Sequence, residues 1–298
     1  MKKAFTLVEL LVVIGILGIL SAVLIGSLSS GTESARAAKC LTNMKNLASA
    51  CQTYGMASGH YPLAGSVERL TIDDSRGVRN IQERYSELPG WISWYSAGAY
   101  ASKPNSHVAN AGWFISAYSQ DEEANLYCLT NGALWKYLSG NRGVYVCPDH
   151  KIAAGSLPPF FTYLMNEAFG WDDSEGQDDP KGENYHGKRY ADLARADRIL
   201  LFAEMQWKSG IASDPIVSEG AGTTCDCTLQ HSKSEMIGFN HTSGKREKVA
   251  HLVFADGHTE KLRLPKGGMG NSEIAELTKL LCKGKDIELV GSRYQELK

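Results

Sequence analysis

A chain of 298 residues is long enough for one or two domains, and 43% hydrophobic with 21% charged residues is the balance of an ordinary folded protein rather than a disordered or fibrous one. The formal net charge of −2 leaves no basic footprint for nucleic acid, so no nucleic-acid partner is expected. Seven cysteines, an odd number, leave at least one thiol free or paired between chains.

The chain opens on two lysines, and from Ala4 to Leu28 Glu9 is the only ionisable residue. As a helix this run is about 37 Å long, enough to cross a hydrocarbon core of about 30 Å, and it has no polar face. A secretory signal peptide would have a shorter apolar region, about 7–15 residues. A plain anchor leaves Glu9 unexplained, since an acid near the membrane centre costs about 2.5–3.5 kcal/mol on insertion scales. The string Lys2-Lys3-Ala4-Phe5-Thr6-Leu7-Val8-Glu9-Leu10 closely resembles the class III signal of type IV pilins and type II secretion pseudopilins. That resemblance implies that a prepilin peptidase cuts between Ala4 and Phe5, methylates the new amino terminus on Phe5, and leaves the apolar segment in place. It makes Glu9 the assembly glutamate. The family usually has Gly before the cut; Ala4 is also small, so processing is expected to survive. The physical sense is direct: cleavage leaves a cation on Phe5, and a carboxylate in lipid needs a partner, which in the family is the amine of a neighbouring subunit. Glu9 also falls in the first helical turn, where the macrodipole favours negative charge.

Beyond Leu28 apolar residues continue at three- and four-residue steps: Ala35, Ala37, Ala38, Leu41, Met44, Leu47, Ala48, Cys51 and Tyr54. The pattern predicts one helix from about Phe5 to Ala57, roughly 80 Å long. Residues 1–4 are then a leader, 5–30 a transmembrane and assembly segment, 31–58 an amphipathic second half, and 59–298 an α+β domain on an antiparallel sheet with long loops. Gly15, Gly18, Gly26 and Gly31 are places where the helix could bend or melt, and Gly15 and Gly18 also let neighbouring helices approach. Gly55, Gly59 and Pro62 end it. Lys2-Lys3 sets the amino terminus in the cytoplasm and the domain outside, a single pass through the cytoplasmic membrane.

Residues 63–125 have little periodicity and cluster Trp91, Trp94, Tyr95, Tyr100, Trp113, Phe114 and Tyr118. Two readings stand, a loop-rich insertion packed by its aromatic rings and an exposed surface for a protein or glycan. Gly132 to Leu138 reads as a short helix, Val144 to Asp149 as a strand and turn, and Phe160 to Asn166 as a strand. Asp172, Asp173, Glu175, Asp178 and Asp179 form an acidic loop. It is either simply solvated or a Ca²⁺ loop, as in some pseudopilins, although its spacing does not fit an EF-hand. Arg198 to Glu204 is a buried strand by composition, and Ser234 to His241 is another candidate. Asp256-Gly257 between Val249–Ala255 and His258–Leu264 predicts a hairpin with a type I′ turn.

Several stretches resemble one subset of pilin-like proteins: Met44-Lys45-Asn46-Leu47, Gly59-His60-Tyr61-Pro62, Cys147-Pro148-Asp149 and Tyr163-Leu164-Met165-Asn166. That subset ends in a His…Asp-Gly module, which His241, Asp256 and Gly257 match within residues 234–264, with a longer gap between His and Asp than the family uses. Asn271 to Cys282 predicts an amphipathic helix stopped by Gly284, Ile287 to Val290 an edge strand, and the tail from Ser292 a polar, mobile end.

Cys40 and Cys51 lie about 16 Å apart along one helix and cannot bridge, whereas Cys128 and Cys147 are a candidate disulfide. His231, His241, His251 and His258 fall near Cys225 and Cys227, but the spacing matches no standard zinc finger or ribbon. No catalytic motif is present, so no enzyme is expected, and Ca²⁺ is the one cofactor to which the acidic loop points. The reading is a structural subunit of a type IV pilus-like or type II secretion pseudopilus filament. Its partners would be prepilin peptidase, the membrane, and other copies or pilin-like subunits met through the helix, with a periplasmic or cell-surface filament as the final location. The alternatives are a monomeric, membrane-anchored binding protein for a carbohydrate or protein, and an anchored metal-dependent hydrolase.

Overall fold

The computed structural model describes residues 7–64, 66–73, 78–84, 89–95, 122–153, 160–169, 191, 193–205, 228–229, 236–242, 247–290 and 293–297. Helix α1 runs from Leu7 to Ser58 without interruption through Gly15, Gly18, Gly26 and Gly31, so the melting expected at those glycines is not seen. It stops where Gly59 takes a φ of 86° and donates its N–H to the Gly55 carbonyl at 2.8 Å, a left-handed close that costs glycine little.

The two halves of α1 meet different surroundings. Leu7 to Leu20 present apolar side chains on every face, from 45% exposed at Val13 to 79% at Leu7. In the second half Cys40, Met44, Leu47, Ala48, Cys51 and Tyr54 are buried, the single stripe expected of a helix laid on a core. Among the described residues no helix is long and apolar enough to cross a membrane, and the expected span over 5–30 reaches outside them.

The stripe lies on a mixed, mainly antiparallel sheet of six strands: β4 (Tyr163–Asn166), β5 (Leu200–Glu204), β6 (Thr228–Leu229), β7 (His241–Thr242), β8 (Lys248–Phe254) and β9 (Thr259–Arg263). Their order is β6-β4-β5-β8-β7 with β9 also paired to β8; only β4 and β6 run parallel. β4 and β5 are buried along their whole length, in keeping with their apolar composition. A smaller sheet, β1 (Ser66–Asp73), β2 (Val78–Arg84) and β3 (Ser93–Tyr95), and helix α2 (Glu122–Asn131) occupy the stretch read as loop-rich. Their charged, weakly alternating sequences hid them. Trp91 is fully buried and stacks on Tyr145 at 5.8 Å, which makes it part of the core rather than of an exposed aromatic surface.

Three further expectations are corrected. Val144 to Asp149 is not a strand and turn: Arg142–Tyr145 is a 3₁₀ turn capped by the Asn141 side chain, and α3 (Pro148–Ala153) follows, with Pro at a helical first position where its missing N–H costs nothing. The polar end is not free, because β10 (Ile287–Val290) pairs with β11 (Arg293–Glu296). The Asp256-Gly257 turn is not type I′, since Gly257 alone has positive φ, at 90°. Gly257 N–H donates to the Phe254 carbonyl and Phe254 N–H to that of His258, which makes a three-residue loop, Ala255 to Gly257, with the glycine in the left-handed bulge position. The loop carries weight because the Ala255 carbonyl accepts from Tyr61 Oη at 2.9 Å and from Gln52 Nε2 at 3.3 Å, tying the hairpin to α1. Helix α4 (Asn271–Cys282) forms as expected, burying Ile274, Leu277 and Leu281.

A Cβ at Gly257 would also stand 3.0 Å from Gln52 Nε2. Gly257→Ala is therefore expected to destabilise the domain by about 1–2 kcal/mol, measured by urea unfolding of the full chain in detergent micelles.

Candidate functional site

Two regions carry chemistry. At the amino-terminal end Glu9 lies in the first turn of α1, inside the exposed apolar segment. A Cβ built on Gly15 or Gly18 meets nothing within 4 Å, so those two positions present open helix surface. Ala4 and Phe5 lie outside the described residues, as do Asp172, Asp173, Glu175, Asp178 and Asp179.

The second region is a buried polar cluster where α1 crosses the sheet, and strand register builds it. Tyr163 on β4 is the partner of Glu204 on β5. The β5–β8 pairing Ala203 with Leu252 continues by one residue to set Glu204 opposite His251. His241 on β7 pairs with Val249, two residues from His251 on the same face of β8. Tyr163, Glu204 and His251 therefore form one row across three strands, His241 stands diagonal to His251 on the same face, and α1 lays Cys40 over them. Backbone bonds hold the row in place: Gly238 N–H donates to the Glu204 carbonyl at 2.7 Å and Asn240 Nδ2 to the Met205 carbonyl at 2.8 Å. A Cβ on Gly238 would meet the Met205 carbonyl at 2.4 Å, so only glycine allows this approach.

His241 Nε2 lies 2.8 Å from Glu204 Oε2 and 3.5 Å from Cys147 Sγ, while its Nδ1 lies 2.8 Å from Asp149 Oδ2. Asp149 is paired in turn with Arg36, one turn ahead of Cys40 on α1. Cys40 Sγ is 3.7 Å from Glu204 Oε2 and 3.5 Å from Tyr163 Oη. The His251 ring stacks on His241 with centroids 4.1 Å apart. His251 is fully buried and neither of its ring nitrogens has a hydrogen-bond partner, a loss of about 1–3 kcal/mol for each group left unsatisfied. The ligand atoms of Cys40, Glu204, His241 and His251 all lie within 4.8 Å of one another. A cleft of about 190 Å³, bordered by Glu33, Arg36, Asp149 and Thr242, opens onto His241.

Burial opposes the charge on Glu204, but the neighbouring His150 and His241 outweigh it and hold the carboxyl far below its usual range. Burial likewise opposes the charge on His241, and Cys147 and Glu204 overcome it, raising the imidazole to about 11. Burial and then the neighbouring His241 charge push His251 down to about 3, so it is neutral. Burial raises the thiols of Cys40 and Cys147.

Of the histidines and cysteines weighed as a zinc set, the structure joins His241 and His251. His258 is instead at the hairpin with Nδ1 2.6 Å from Asp256 Oδ1, and Cys225, Cys227 and His231 lie outside the described residues. His241 and Asp256 belong to opposite ends of the β7–β8–β9 meander. Cys128 and Cys147 are both free thiols, so the disulfide expected between them is not formed; Cys147 is drawn instead to His241. Sequence reading missed Cys40, Asp149 and Glu204 as site residues. For Cys40 and Glu204 the signal was a polar or ionisable group set in an otherwise apolar stripe or strand; Asp149, in the first turn of α3, carried none.

Residues 1–25 match the model of the prokaryotic N-terminal methylation motif, and no curated protein and no solved structure matches the chain. The chain therefore carries a prepilin-type amino terminus and is type IV pilin-like or pseudopilin-like in that segment. Such a motif implies processing by prepilin peptidase and pilin-like assembly, and it points to a structural subunit rather than an enzyme.

Glu204→Ala would remove the fully buried one of the two carboxylates that lie 2.8 Å from His241. It is expected to cost about 3–5 kcal/mol in urea unfolding, whereas Arg195→Ala, which cuts the exposed Arg195–Asp286 pair, should leave the midpoint nearly unchanged.

Proposed function

We propose that this protein is a subunit of a type IV pilus-like or type II secretion pseudopilus filament. Prepilin peptidase cuts it between Ala4 and Phe5 and methylates Phe5, and the apolar half of α1 anchors it in the cytoplasmic membrane before packing into the filament. The observation that carries this reading is the amino-terminal motif set directly ahead of a helix whose apolar side chains, Leu7 to Leu20, are exposed on every face. A face of that kind is stable in lipid or inside a bundle of like helices, and in water it would aggregate. Glu9 is the one carboxylate among these apolar neighbours, and the Phe5 amine of an adjacent subunit is the charge that would complement it inside a bundle of helices. The domain from residue 59 onward then lies outside the cytoplasm.

The competing binding-protein reading drew on an exposed aromatic surface. Trp91, the one aromatic of that segment whose side chain is described, is core.

Mass spectrometry of the membrane-extracted protein should find N-methylated Phe5 as the first residue. An intact Met1, or a cut beyond Ser27, would refute the reading. Glu9→Ala should insert in the membrane as the natural chain does but lose subunit-to-subunit crosslinks through α1; unchanged crosslinking would count equally against it.

A further inference from the structure

We propose that Cys40, Glu204, His241 and His251 form a structural binding site for a zinc-class divalent metal ion, which fastens α1 to the sheet. The inference stands on the buried cluster alone and does not depend on the filament reading.

The donor set is the first argument. One thiol, one carboxylate and two imidazoles reach a common point from α1, β5, β7 and β8, with all four residues no more than 1% exposed. Zinc bonds of about 2.3 Å to sulfur and about 2.0–2.2 Å to nitrogen and oxygen put tetrahedral ligands within about 4 Å of one another. Donor atoms already within 4.8 Å need only small side-chain shifts to reach that arrangement. Sulfur with imidazole selects zinc or cobalt over calcium or magnesium.

Satisfaction of buried groups is the second. His251 is wholly buried and without a hydrogen-bond partner on either ring nitrogen, and its ring lies against His241 on the same face of the sheet. A metal bond gives one of those nitrogens the partner that the protein does not supply.

The outer contacts are the third. The far nitrogen of His241 faces the Asp149 carboxylate at 2.8 Å, and Arg36 holds Asp149. Metal-ligating histidines are commonly oriented by a carboxylate in this manner. With Nδ1 directed at Asp149, Nε2 is the ring nitrogen that faces Glu204 and would take the ion.

Charge also closes. The ion takes the place of the proton between His241 Nε2 and Glu204 and displaces the proton of the Cys40 thiol, both released to solvent. A thiolate and a carboxylate then cancel the two positive charges, with both imidazoles neutral. Four protein ligands make a closed, structural site.

The test uses the full chain purified in detergent without chelator. About one equivalent of zinc per chain is expected by elemental mass spectrometry. After chelation, cobalt(II) titration should give a thiolate-to-cobalt charge-transfer band and the intense visible absorption of tetrahedral cobalt. Cys40→Ser should lose the charge-transfer band, His251→Ala should weaken uptake at least tenfold, and Cys282→Ser, at a buried cysteine on α4, should change neither. Because the site variants could fail to fold, the natural chain alone is decisive: substoichiometric metal together with no cobalt spectrum overturns the proposal. A Cys40–Cys147 disulfide found by non-reducing peptide mapping overturns it as well, and so does a folded Cys40→Ser variant that keeps the charge-transfer band.

Discussion

The head of this molecule is organised around a buried histidine–carboxylate contact. His241 and Glu204 approach to 2.8 Å with almost no exposure, and neither could be placed there alone without a desolvation cost of several kcal/mol. The contact is satisfied only when β5 and β7 are each in register with β8, since a slip by one residue would turn Glu204 or His241 to the opposite face. It extends outward through Asp149 to Arg36 and so reaches α3 and α1. A polar cluster of this kind specifies one arrangement of four elements where apolar packing alone would tolerate several.

The same helix that completes the cluster changes character within a single element. From Cys40 onward α1 has one buried stripe and polar flanks, so its conformation is fixed by the sheet, α3 and the hairpin loop docked through Gln52. From Leu7 to Leu20 it has no polar flank at all. One element thus has two characters, and its sequence divides where charge returns, at Glu33 and Arg36. Those two residues also border the cleft that leads to His241.

The sequence made the outline legible where periodicity was strong. α1 ends one residue beyond the expected Ala57, and α4 keeps the bounds its amphipathic pattern set. β5 and β8 were readable as short apolar runs. The failures have identifiable causes. The stretch at 142–147 is rich in strand-forming residues, but the Asn141 cap and Pro148 turn it into a 3₁₀ segment and a helix start. β1 and β2 lack the clean alternation that marks a half-buried strand. The Asp256-Gly257 dipeptide correctly marked a hairpin, yet it could not tell a two-residue loop from the three-residue loop that forms. The cluster itself was the least legible feature, since Cys40, Cys147, Glu204, His241 and His251 are spread over more than two hundred residues. Only pairing register shows that Glu204 and His251 are neighbours.

Distance separates the two chemically distinct parts of the chain. Glu9 and Cys40 lie on one continuous helix, about 46 Å apart along its axis, so the buried cluster cannot act directly on the amino-terminal motif. Its influence has to be mechanical. A rod gripped at Cys40 by a sheet, at Arg36 by Asp149 and at Gln52 by the hairpin loop holds its outer half at a set angle to the head. If any of those grips loosened, the apolar segment would keep its helix, but the head would no longer be held in one orientation to it. The cost of burying His241 and Glu204 together is therefore best understood as the cost of a rigid joint between stem and head.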